Sequence, residues 1–284
     1  MIRPARSNDL PQLKVLWMQA FEDDELSADH YFANRHRDEY VLVDVEGGQL
    51  RAMLTMLPTD LVTGGATVPA VYFFAIATGL AWRGRGISTA LIKDAEARCR
   101  SRGAAASVLV PANAGLFDFY GRRGYETRFY YRQETVTPDI LPACPQGHAL
   151  LPVSGEALYR LREKAFAKSR LFLRWNIQAL DYIIASAAAF GAPLLRFGTD
   201  KGEGFAYCER AGEELTVKEL ALSGIEVPQA VAILDRHLHA ASYTLRLAGA
   251  DGRQSAPVPF GMIKAFEPLP AGEGTEPYMS FAKD

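Results

Sequence analysis

No window of this 284-residue chain approaches the ~20 consecutive apolar residues that a helix needs to cross a bilayer, and Met1-Ile2-Arg3-Pro4-Ala5-Arg6 lacks the apolar core of a signal peptide. Neither membrane insertion nor secretion is expected. Cysteine is scarce. Cys99, Cys144 and Cys208 are far apart and odd in number, which fits neither a disulfide framework nor a paired-cysteine zinc site. The expectation is a soluble protein of the reducing cytoplasm. Nor does one sign of charge dominate: 31 Lys and Arg face 33 Asp and Glu, so no broad basic field calls for nucleic acid or an anionic membrane surface. Any recognition of an anion has to be local. Basic and aromatic residues do not interleave as in a nucleic-acid platform. His30, His36, His237 and His239 form no ligand pattern with the cysteines, so no metal is expected.

What the chain does contain is core material, 49% hydrophobic and 11% aromatic, and enough length for two ordinary domains. Residues 2–5 read as a short strand, and Ser7 as the N-cap of an amphipathic helix carrying Leu10, Leu13, Leu16, Trp17 and Phe21. The acidic segment Glu22-Asp23-Asp24-Glu25 leads to a second helix over about 27–35. Residues 41–45 and 51–57 form a hairpin around Glu46-Gly47-Gly48, and a further short strand and the Gly64-Gly65 turn lead into a strand over 71–78. A helix ending near Gly103, a strand at 107–110, a helix over 113–123 and an aromatic strand at 125–132 follow.

Composition shifts to proline at 137–148, read as a linker between an N-terminal domain, 1–136, and a C-terminal one, 149–284. The element order then repeats: a strand at 149–153, helices from Ser154 and over 175–190, strands at 193–198, 203–209 and 214–222, a helix over 228–240, and strands at 242–247 and 258–266. The fold class is α/β with a mixed sheet.

The chemistry concentrates where the strand ending Ile76-Ala77-Thr78 runs through Arg83-Gly84-Arg85-Gly86 into a helix beginning Ile87-Ser88-Thr89. The first amides of a helix lack intrahelical partners and lie at the positive end of its dipole, so this turn suits a phosphate. Strand, crossover helix and strand make a βαβ unit, which predicts a parallel pair. A third glycine and a ribose-binding acid are missing, which argues against a dinucleotide site, and no Gly-Lys-Ser/Thr sequence cradles a triphosphate. The corresponding second-half turn, Ser223-Gly224-Ile225-Glu226-Val227-Pro228-Gln229, has one glycine, no arginine and an acid.

Residues 71–125 resemble the GNAT (Gcn5-related N-acetyltransferase) superfamily. Its Arg/Gln-x-x-Gly-x-Gly/Ala turn reads here Arg83-Gly84-Arg85-Gly86-Ile87-Ser88, with Ser88 departing from the pattern, and Asn113, Leu116, Tyr120, Gly124 and Tyr125 match a second motif, with Leu116 bulkier than usual. The resemblance implies acetyl-CoA as cofactor, its pyrophosphate on Arg83–Thr89, its pantetheine arm along Ile76–Thr78 and on Asn113, and Tyr120 as general acid toward the leaving thiolate. Such a phenol is protonated at neutral pH.

The acidic segment borders the acceptor site in this family, and Glu22 is the candidate base that frees the attacking amine of its proton. The repeated layout and the closing Gly261-Met262-Ile263-Lys264 and Tyr278-Met279-Ser280-Phe281 resemble the bacterial tandem-GNAT enzymes of the enhanced-intracellular-survival (Eis) group, without their additional C-terminal domain. Two tandem GNAT-like domains are thus expected, each a largely antiparallel mixed sheet flanked by helices. The function implied is transfer of an acetyl group to a primary amine, small molecule or peptide lysine, by direct attack in a ternary complex. The alternatives are another acyl-CoA donor or a non-catalytic CoA-binding sensor. The second half would complete the acceptor pocket or mediate homo-oligomer contacts.

Overall fold

The computed structural model describes residues 1–249 and 255–279; Ser280 and Phe281 of the closing motif lie outside them. The chain opens with β1 (Ile2–Pro4), a 3-10 turn over Ser7–Asp9 and α1 (Leu10–Phe21). Ser7 is not the cap. The buried Asp9 carboxylate accepts the Arg6 backbone N–H at 2.8 Å and the Arg3 guanidinium at 2.6 and 2.9 Å. That charge-assisted pairing with Arg3 holds the Asp9 carboxyl below its usual value. Asp24 in turn caps α2 (Glu25–Asn34) by accepting the Ser27 N–H at 2.7 Å, so the helix starts two residues before Ser27.

β2 (Val41–Glu46), β3 (Gln49–Thr63) and β4 (Ala66–Thr78) form an antiparallel meander. The two strands expected between residues 51 and the Gly64-Gly65 turn are one 15-residue strand, β3. Pro58 does not break it because of where it sits. β2 pairing ends at Thr55, and β8 (Leu171–Arg174), a strand not expected from the sequence, pairs with β3 only from Asp60 to Thr63. Pro58 faces the gap between the two, where its missing N–H deprives no ladder.

α3 (Ile87–Ser101), β5 (Ala106–Leu109), α4 (Ala114–Gly121) and β6 (Glu126–Val136) complete the first half. The second half runs β7 (Ala149–Leu151), α5 (Gly155–Ala165), β8, α6 (Ile177–Phe190), β9 (Leu194–Gly198), β10 (Glu203–Ala211), β11 (Glu214–Ser223), α7 (Val227–Leu238), β12 (Ser242–Leu247) and β13 (Pro257–Ala265). Ser154 caps α5, as expected.

One parallel pair falls where the βαβ reading puts it, β4 with β5 across α3, and a second joins β11 with β12 across α7. Among the described residues all thirteen strands join one sheet. The path is β1-β2-β3-β4-β5-β13-β6-β12-β11-β10-β9-β7, with β8 off it on β3. The two halves trade closing strands. β6 leaves β5 to pair with β12, and β13 leaves β12 to insert between β5 and β6. One core accordingly spans both halves, Tyr72 and Phe129 packing in the same cluster as Leu158, Trp175, Phe205 and Phe260. The fold is thus a mixed α/β sheet flanked by helices. Among the described residues no helix is long and apolar enough to cross a membrane.

The second half buries one ion pair between α5 and β11: Arg162 Nε lies 3.4 Å from Glu219 Oε1, the residues being 3% and 0% exposed. Burial pushes the Glu219 carboxyl up to about 7, with Arg162 opposing. A raised carboxyl holds its proton more tightly in the folded chain. Its contribution is therefore full below the unfolded value of 4.5 and is lost as the pH rises to about 7. Urea midpoints compared at pH 5 and pH 8 should show a smaller loss of stability at the higher pH in Glu219→Gln than in the native chain. An unchanged difference would remove Glu219 as its source.

Candidate active site

β4 follows β3 along its length but pairs with β5 only over Ala70–Tyr72. Beyond Tyr72 its second edge meets no strand among the described residues. The register between β3 and β4 also shifts between the pairs Thr55/Phe74 and Met53/Ala77, and Ala75 in the bulge has φ 51. That left-handed conformation is strained for a residue with a Cβ. The bulge breaks the alternation of faces. Phe74, Ala75 and Ala77 pack on the α1–α2 side, while Phe73 and Ile76 pack on the α3 side. Backbone groups on an unpaired edge need partners, and an extended ligand with amide groups can supply them.

At the end of this edge the Arg83 Nε–H donates to the Thr78 carbonyl at 3.2 Å, and the Thr78 and Ser88 hydroxyls lie 3.3 Å apart. The expected residues Ile76–Thr78 and Arg83–Thr89 thus form one continuous lip. Gly84 and Gly86 take φ 77 and 76, and space is open where a Cβ on either would project. α3 begins with no side-chain cap and no acid in its first turn, so its leading amides are left for an anion. Arg123, from the end of α4, donates to the Thr89 hydroxyl at 3.1 Å. Arg85 lies with its guanidinium carbon 4.9 Å from the Trp82 ring centroid.

The counterpart turn before α7 is filled. A Cβ on Gly224 would meet the Lys201 carbonyl oxygen at 2.3 Å, and one on Gly202 the Ser223 carbonyl oxygen at 2.0 Å. The β9–β10 connection packs where the first half is open.

Asn113 caps α4, its Oδ1 accepting the Leu116 N–H at 3.2 Å. Tyr120 is buried in the same cluster as Ile76 and Ile87, edge-on to Phe119 and Tyr125, and burial pushes its phenol up to about 12. The three cysteines are unbridged. Burial pushes Cys99 up to about 11 and Cys208 to about 12, which keeps these thiols from being ready nucleophiles.

On the other face of β4 a cavity of about 470 Å³ opens between the halves. Eleven of its lining residues are aromatic, among them Trp17, Tyr31 and Phe74 from the first half and Trp175, Tyr182 and Tyr207 from the second. Tyr120 does not line it. Glu22, the expected base, is the exposed C-cap of α1 with φ 55 and does not line it either; the left-handed turn there delivers the next residue, Asp23, to the wall. Asp23 Oδ2 accepts the Trp17 indole N–H at 2.8 Å. The aromatic lining was not legible in the sequence, because its members are spread from Trp17 to Tyr278.

A splayed strand edge with an uncapped helix N-terminus at its end thus lies across the strand from an aromatic-lined cavity. Residues 1–128 match the family described as acetyltransferase (GNAT) domain. Three solved structures share the fold. A GCN5-related N-acetyltransferase from Anabaena variabilis aligns at TM-score 0.77 and 18% identity, over 94% of this chain and 73% of its own. Eis1 from Mycobacterium abscessus aligns at 0.71 and 16%, over 93% and 73%. Saccharomyces cerevisiae N-myristoyltransferase with bound myristoyl-CoA aligns at 0.58 and 10%, over 95% and 83%. No curated protein matches the sequence. The family match thus covers the first 128 residues, less than half of the chain, and the shared fold extends across both halves.

The strain at Ala75 gives a stability test. Ala75→Val, which adds β-branching at φ 51 in a buried position, should lower chemical-denaturation stability by about 2 kcal/mol, while Ala75→Gly should cost less than ~1 kcal/mol. Equal losses for both would argue against the bulge.

Proposed function

We propose that the protein uses acetyl-CoA to acetylate a primary amine held in the cavity between its halves. The observation that carries this reading is the lip formed by the unpaired β4 edge and the open Gly84–Gly86 turn, directly backed by the aromatic cavity. The residues fit a CoA thioester. Backbone groups of Ile76–Thr78 would hold its amide-bearing arm, and Gly84, Gly86 and the first amides of α3 its pyrophosphate, with Arg83, Arg85, Ser88, Thr89 and Asn113 around them. The bound thioester supplies an activated acyl group.

Each remaining step belongs to a side chain of this chain. The acidic segment after α1, Glu22 at the rim and Asp23 on the wall, draws the ammonium in and takes its proton. The neutral amine would then attack the acyl carbon, with the thiolate as leaving group. The Tyr120 hydroxyl, kept protonated by burial, donates to the departing thiolate. Attack is direct, in a ternary complex, consistent with the buried, high-pKa thiols of Cys99 and Cys208. The filled turn before α7 supports one donor site per chain, in the first half, with the second half (149–284, beyond the 137–148 connection) closing the acceptor cavity.

Two variants test the assignment. Tyr120→Phe should lower kcat on the order of 100-fold while leaving acetyl-CoA affinity nearly unchanged, read by free-thiol release; unchanged turnover would take Tyr120 out of the mechanism. Gly86→Glu puts bulk and negative charge where the pyrophosphate would lie, and calorimetry should find acetyl-CoA affinity reduced about 100-fold or more. Retained affinity would move the donor site elsewhere.

A further inference from the structure

The cavity's charges say what kind of amine it takes. At about 470 Å³ it has the size of a single small-molecule site rather than a protein-docking surface, and nearly half of its lining residues are aromatic. Five charged residues line it: Asp23, Arg35, Glu209, Lys218 and Arg246. Lys218 and Glu209 pair with one another at 3.1 Å, and Arg246 lies 4.9 Å from the Tyr131 ring centroid.

Arg35 is different. It follows the last turn of α2, half-buried, with its guanidinium carbon 5.8 Å from the Tyr182 ring centroid. Among the described residues no carboxylate lies within ion-pair distance of it. Burial without a counter-charge draws its pKa below the usual arginine value. A cation placed this way in an aromatic wall costs desolvation that a bound carboxylate recovers, through the paired N–H donors of the guanidinium.

Tyr31 lies one helical turn before Arg35, and its ring centroid is 5.8 Å from that of Phe74, where the open edge of β4 begins. An acceptor held between Arg35 and that edge would lie along these aromatic rings. Resting on the reading of this cavity as the acceptor site, we propose that the acceptor is a small primary amine whose aromatic body ends in a carboxylate, anchored by Arg35.

The test compares 4-(aminomethyl)benzoate, its methyl ester and a short lysine peptide amide as acceptors with acetyl-CoA, read by thiol release. The acid should exceed the ester by about tenfold in kcat/KM, through KM. Arg35→Gln should erase that preference and Arg35→Lys restore part of it, with a rise in melting temperature on adding acetyl-CoA showing that each variant is folded. Equal rates for acid and ester in the native chain, or a preference that survives Arg35→Gln, would overturn the proposal. So would octanoyl-CoA replacing acetyl-CoA as the preferred donor with no acid preference, since the cavity would then hold the acyl chain. Release with the ester or the peptide but not the acid overturns this inference alone; bound acetyl-CoA with no release to any amine overturns the acetyltransferase reading with it.

Discussion

Everything at the site depends on a parallel strand pair that stops pairing after three residues. From Tyr72 onward β4 has a neighbour on one side only, and a strand edge inside a protein cannot leave its polar groups without partners at no cost. The fold uses this opening instead of closing it. The bulge at Ala75 turns two successive side chains to the cavity side, and the glycine turn places an uncapped helix at the end of the same edge. In the proposed function, donor arm, anion and acceptor would each find a surface because one strand is left open.

The exchange of β6 and β13 sets what lies beyond that opening. β5 pairs on its other edge with β13 from the far end of the chain, over Met262–Ala265. β6 in turn carries the sheet into the second half through β12. The cavity is therefore a product of both halves, and strands contributed late in the chain, through Phe260, line a pocket begun by Trp17. This gives the degenerate second half a physical task although its own turn before α7 is occupied by the β9–β10 connection.

How much of this the sequence disclosed follows from the range of each signal. Local signals were legible. The Arg83–Thr89 turn, the βαβ unit of the first half and the Ser154 cap each depend on a few adjacent residues. Contacts far apart in the chain were not. β8 is four residues long and exists because β3 offers an edge from Asp60 to Thr63. The exchange of β6 and β13 joins residues more than a hundred positions apart and has no local pattern. The strand expected over 51–57 stops short of Pro58, because the gap between β2 and β8 is invisible in one dimension. Within the acidic segment, spacing could not decide which carboxylate turns inward; the left-handed residue Glu22 decides it for Asp23, while Asp24 is used as a helix cap.

The central claim, one donor site on the open edge of β4 and none at the counterpart turn, can be read directly from amide hydrogen exchange with and without acetyl-CoA. The account predicts slower exchange at 76–78 and 84–89 on adding acetyl-CoA, with 223–229 unchanged. Protection at 223–229, or none at 76–78, would contradict it.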